Sequence, residues 1–173
     1  MKESIIVLMG VSGCGKTVVG KTLAEKLGVP FMEGDEFHSP ENLAKMSSGV
    51  PLDDNDRKGW FHAIREAMEA QPGSAIVSCS ALKRKHREFL ADASKTVRFV
   101  HLDGERELLE KRIRSRVGHF FDSKLLGSQL ASLEKPAPDE GTLVVNVEPS
   151  VQKIVAFIQS RLEASDQSLE NSS

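Results

Sequence analysis

Gly10-Val11-Ser12-Gly13-Cys14-Gly15-Lys16-Thr17 matches the pattern G-x-x-x-x-G-K-[ST] at every fixed position. The glycines let the backbone curl so that successive N–H groups point inward at a phosphate chain. Lys16 then reaches the β- and γ-phosphates, and the Thr17 hydroxyl ligates the magnesium they carry. The flanks decide the fold. Before the loop runs Ser4-Ile5-Ile6-Val7-Leu8-Met9, an apolar stretch of buried-strand length. After it, Val18, Val19, Leu23, Ala24 and Leu27 recur at helical spacing, and Gly28 stops the helix. A loop between a buried strand and a helix N-terminus favours anions through its dipole and free N–H groups. A chance match in a glycine-rich turn lacks both flanks, so the loop is read as a nucleotide site.

Working outward, strand-like runs cover residues 5–9, 31–33, 75–79, 97–102 and 143–147. Several are continuous rather than alternating, as parallel strands covered on both faces should be. The connections read as helices. Ser39-Pro40 offers a cap and a first-turn proline before 42–47. Residues 54–71 carry Trp60, Phe61, Ile64, Ala67 and Met68 on one face and stop at Pro72-Gly73. Helices over 83–93, 106–116 and 150–162 complete the set. The expectation is a three-layer α/β/α sandwich, with right-handed crossovers around a five-stranded parallel sheet. Residues 1–163 form one domain, with a lid at about 117–135, and 164–173 form a polar, frayed tail.

Bulk properties narrow the function. The 173 residues suit a single core. A net charge of −2 gives no support to wholesale nucleic-acid or membrane binding, so basic residues act locally. Cys14 and Cys79 lack metal-ligand spacing and form no disulfide framework. Reduced thiols and the absence of a signal peptide or membrane-length apolar run point to the cytoplasm.

Ligands in such folds lie beyond the carboxyl ends of the strands. The second strand ends in Glu33-Gly34-Asp35, across the crevice from the phosphate loop. Asp35 suits a proton acceptor for a substrate hydroxyl, and Glu33 suits magnesium held through water. Both also suit solvated turn residues, and Asp35 could instead organise the metal. His38 reads as a turn or capping residue. The third strand leads into Lys83-Arg84-Lys85-His86-Arg87, where Lys83 and Arg87 share a helical face fit for an anionic group. Arg84 and Lys85 read as exposed. Arg112 and Arg116 share another face before a Gly-containing segment, placed to stabilise a transferring phosphoryl group from a lid.

With these residues in view the chain resembles the gluconate kinases, a nucleoside-monophosphate-kinase-like and shikimate-kinase-like branch of P-loop proteins. The resemblance spans Ile5 to about Leu162. It rests on the phosphate loop, Glu33-Gly34-Asp35 with His38 and Asn42, and Lys45-Met46 leading to Gly49-Val50-Pro51-Leu52-Asp53-Asp54-Asn55-Asp56-Arg57 and Trp60. Ser78-Cys79-Ser80-Ala81-Leu82-Lys83, His119-Phe120, Leu125-Leu126 with Ser128-Gln129, and Leu133-Glu134 complete it. It implies transfer of phosphate from ATP, with Mg2+, to the terminal hydroxyl of D-gluconate. It also implies a role in sugar-acid catabolism feeding the pentose phosphate or Entner–Doudoroff route, and a homodimer. Related kinases place a substrate-binding arginine near Arg57, which joins Asp35, Lys83 and Arg87 as an acceptor-binding candidate. ATP would lie along Gly10–Thr17, with Lys16, Arg112 and Arg116 on the moving phosphoryl group. Kinases for shikimate, another hydroxy acid or a nucleoside monophosphate stay open beside this reading. So does a nucleotide switch, although no Asn-Lys-x-Asp guanine-reading motif is present.

Overall fold

The computed structural model describes residues 3–115 and 123–170. Strand β1 (Ile5–Met9) is buried along its whole length and sits at the centre of the sheet. Ile5, Val7 and Met9 belong to one core and Ile6 and Leu8 to the other, which is why the run is apolar without alternation. Beside β1 lie β3 (Ala75–Ser78) and β4 (Val97–Asp103), with β2 (Phe31–Glu33) and β5 (Leu143–Asn146) at the edges. Every pairing is parallel, in the order β2-β3-β1-β4-β5. All five carboxyl ends therefore open on one rim. The chain order reverses direction at β1, so the phosphate loop emerges at the switch point.

Helix α1 (Lys16–Leu27) ends on left-handed Gly28, whose N–H reaches the carbonyl of Glu25. Together with α5 (Arg106–Arg114), α6 (Ser123–Ser132) and α7 (Val151–Glu170), it packs on the Ile6 and Leu8 face. The opposite face is covered by α3 (Asp54–Ala70) and α4 (Arg84–Ala91), through Trp60, Phe61, Ile64, Met68 and Leu90. Helix α2 (Pro40–Ser47) begins at Ser39, whose hydroxyl accepts the Asn42 N–H at 3.2 Å. A reciprocal box starts α3: Asp53 accepts from the Asp56 N–H at 2.8 Å, and Asp56 accepts from the Asp53 N–H at 3.0 Å.

The three-layer sandwich expected from the pattern is the fold observed. Two boundaries differ. Helix α7 runs on to Glu170, so the stretch expected to fray from 164 is helical over most of its length. Its Ser-rich composition conceals Asp166, which is buried and pairs with Arg98 on β4. The expected lid, 117–135, contains α6, which is anchored through fully buried Leu126 and through the Glu134 N–H donating to the Leu82 carbonyl at 2.9 Å. The part of that lid at 117–122 lies outside the described residues, as does Arg116.

Candidate active site

Gly10, Gly13 and Gly15 adopt φ of 142°, 83° and 97°, a left-handed region that side chains resist and that the curled loop requires. A Cβ on Gly10 would also lie 2.8 Å from the Leu102 carbonyl oxygen. Lys16 opens α1, and its Nζ donates to the carbonyls of Gly10 at 2.9 Å and Val11 at 3.2 Å, above the loop. Cys14 and Cys79 are both buried free thiols, and burial pushes Cys79 up to about 12. That thiol therefore stays protonated and supplies no nucleophile.

On the other side of Lys16, the Thr17 hydroxyl donates to Glu33 Oε2 at 2.6 Å. The Ser78 hydroxyl donates to Glu33 Oε1 and itself accepts the Gly34 N–H at 3.1 Å. Thr17 and Glu33, the two residues proposed from sequence to hold magnesium, are thus neighbours. Among the described residues no cluster of three or more His, Cys, Asp or Glu side chains forms a cage. Sparse protein oxygens suit a Mg2+ that takes its remaining ligands from phosphates and water.

Gly34 is squeezed against β3: a Cβ there would sit 2.0 Å from the Ser78 carbonyl oxygen. Its own carbonyl accepts the Trp60 indole N–H at 2.6 Å. Trp60 stacks on His38 with ring centroids 4.3 Å apart. Glycine, indole and imidazole together aim the short 3-10 turn Gly34–Phe37, so that Asp35 projects outward with 75% of its side chain exposed. His38 Nε2 lies 3.9 Å from Asp35 Oδ1. Burial lowers the His38 pKa, which keeps the imidazole neutral near pH 7.

Lys16, Asp35 and Arg57 line one cleft of about 460 Å³, together with Ser12, His38, Trp60 and α6 residues Ser128, Gln129 and Ser132. The volume suits a small metabolite. Arg57 is half-buried, and its guanidinium stays 4.0 Å from the nearest Asp54 oxygen, leaving donors for another carboxylate. Asp54 is the hub of the neighbouring cations. Hydrogen bonds from Lys85 at 2.5 Å and Lys83 at 2.9 Å hold its carboxyl well below the usual range.

Three cations expected at the site have other partners. Arg87 is buried, and clamps Glu140 through contacts of 2.5 and 2.9 Å. It also donates to the carbonyls of Ala81 and Leu82, each at 3.2 Å. Ala81 has a φ of 40°, so Arg87 braces a strained turn that carries Ser80 to the cleft. Lys83 bonds both oxygens of Asp54 and sits outside the main cleft, near Arg57. Arg112 donates to the Val147 carbonyl at 2.7 Å just beyond β5 and does not line that cleft. Arg84 pairs with Glu88 and Asp139 on the surface, as its exposed reading required. Sequence reasoning gave no role to Ser80, Ser128, Gln129 or Ser132. The i, i+4 spacing of Ser128 and Ser132 was the one available signal for a shared face.

Residues 12–162 match the family model described as shikimate kinase. The gluconokinase of Gluconobacter oxydans is 42% identical over 170 residues, covering 96% of this chain and 95% of that protein. Thermoresistant gluconokinase of Escherichia coli is 38% identical over 156 residues, covering 88% and 89% respectively. The crystal structure of a gluconokinase from Sinorhizobium meliloti 1021 superposes with a TM-score of 0.91 at 42% identity, covering 99% of this chain and 98% of that one.

Proposed function

The chain belongs to the gluconokinase family, within the wider shikimate-kinase-like group, and we propose that it transfers the γ-phosphoryl group of ATP to D-gluconate, forming 6-phosphogluconate. One observation carries the mechanism: Lys16, Asp35 and Arg57 open on the same cleft. Loop N–H groups and Lys16 bind the phosphates and stabilise the equatorial oxygens as charge moves. Asp35 orients the C6 hydroxyl and takes its proton. The hydroxyl oxygen bonds to phosphorus as the bond from phosphorus to the β–γ bridging oxygen breaks, and ADP leaves. Arg57 holds the gluconate carboxylate with its planar fork. Thr17, and Glu33 through water, would hold Mg2+, which would neutralise phosphate charge.

A homodimer working in the cytoplasm is also part of this proposal; the homodimer rests on the family resemblance and the compartment on the reduced cysteines. Among the described residues, no helix is long and apolar enough to cross a membrane.

Two arginine variants test the acceptor assignment. Arg57→Ala should raise the gluconate KM by at least about tenfold while leaving the ATP KM near wild type, because a charged hydrogen bond contributes roughly 1.5–3 kcal/mol. Arg87→Ala should act on folding instead. It strands Glu140 beside a turn it no longer braces, so stability should fall by about 3–5 kcal/mol, read as a lower Tm. An unchanged gluconate KM in Arg57→Ala, or a selective KM effect with unchanged Tm in Arg87→Ala, would reverse the two roles.

A further inference from the structure

The Ser12 N–H belongs to the phosphate loop, but its acceptor comes from 117 residues away: Gln129 Oε1 on α6, at 2.7 Å. Ser12 and Gln129 line the same cleft as Asp35 and Arg57. This N–H therefore lies at the acceptor end of the loop, where the phosphoryl group to be transferred must sit. A γ-phosphoryl oxygen and the Gln129 carboxamide oxygen require the same donor.

Building on the phosphoryl-transfer reading above, we propose that Gln129 couples the nucleotide and acceptor sites. The γ-phosphate takes the Ser12 N–H, and the displaced carboxamide turns to hydrogen-bond an acceptor hydroxyl. The direction of the exchange follows from charge, because an anionic phosphoryl oxygen is a stronger acceptor than a neutral carboxamide. The released group suits its new partner, since a carboxamide both donates and accepts, as a hydroxyl does. Ser128 and Ser132 add hydroxyls to the same wall, which matches a polyol chain. The helix carrying them is fixed. Leu126 is fully buried, Leu130 and Leu133 pack against the core, and the Glu134 N–H is tied to Leu82. Only the Gln129 side chain has to rotate. Nucleotide bearing a γ-phosphate therefore readies the acceptor wall, and by linkage an acceptor that holds Gln129 away from Ser12 favours that nucleotide.

Calorimetric titration with magnesium-bound AMP-PNP and with ADP, alongside gluconate kinetics, separates this role from a structural one. Gln129→Leu removes the competing oxygen. It should tighten AMP-PNP about 2–10-fold, the span of one neutral hydrogen bond, leave ADP unchanged and raise the gluconate KM about tenfold. Gln129→Glu should do the reverse to AMP-PNP, because a carboxylate grips the Ser12 N–H harder and repels the γ-phosphate, again with ADP unchanged. Equal shifts for AMP-PNP and ADP would overturn the proposal, as would failure of Gln129→Leu to tighten AMP-PNP or to raise the gluconate KM. A Gln129 that merely supports the fold would weaken both nucleotides in both variants. The nucleotide measurements use no gluconate, so they test the exchange on Ser12 even if wild-type protein turns out to prefer another hydroxylated acceptor.

Discussion

Asp35→Asn should lower kcat by roughly two to four orders of magnitude, the range expected for losing a positioned general base. The side chain projects into the cleft and is three-quarters exposed, with the neutral His38 imidazole 3.9 Å away. Asparagine keeps the shape and removes both the charge and the proton acceptor. Folding and nucleotide affinity should therefore match wild type, because the Trp60 bond runs to the Gly34 backbone and the phosphate loop is untouched. A magnesium titration at saturating ATP and gluconate separates the two possible roles. A deficit that persists at high magnesium supports proton transfer. Recovery with added metal would make Asp35 an organiser of the ion, and wild-type turnover throughout would remove it from the reaction.

Lys16→Ala should lower kcat by at least about a hundredfold, the scale of losing one preorganised donor to developing charge. That factor corresponds to about 2.7 kcal/mol of transition-state stabilisation. The folded protein loses less, since the ammonium bonds the carbonyls of Gly10 and Val11 and, at 4.0 Å, the Cys14 sulfur from a partly exposed position. Single-turnover kinetics at saturating ATP and a melting curve make the comparison. The expected pattern is a large fall in rate with a small change in Tm. An unchanged kcat would contradict the phosphate-cradle assignment.

What could be read from sequence was set by locality. The run from Ile5 to Leu27 declares itself because the strand, the glycines and the helix period are adjacent in the chain. The Glu33-Gly34-Asp35 turn was visible as chemistry, but its support was not. The squeeze of Gly34 against Ser78 and the Trp60 bond join residues 44 and 26 positions apart. Arg87 misled for the same reason. Spacing of i, i+4 puts Lys83 and Arg87 on one face of a helix without saying that the face turns inward toward Glu140, 53 residues on. Helix α6 is weakly amphipathic, with Gly127 and three serines, and its helicity is set by the burial of Leu126 rather than by local propensity. Gln129 consequently went without a role until its contact with Ser12 was seen. The end of α7 hides a buried charge, Asp166, in a serine-rich segment, and its partner Arg98 lies on β4.

The most direct test of gluconate phosphorylation by this chain is kcat/KM from coupled ADP release across a panel of acceptors: gluconate, glucose, shikimate and nucleoside monophosphates. The account predicts that gluconate exceeds every other acceptor by about a hundredfold or more, since it alone in this panel joins a carboxylate for Arg57 to a primary hydroxyl for Asp35. Glucose, which lacks the carboxylate, should be very poor despite its terminal hydroxyl. Turnover of shikimate, glucose or a nucleoside monophosphate at or above the gluconate value would contradict it.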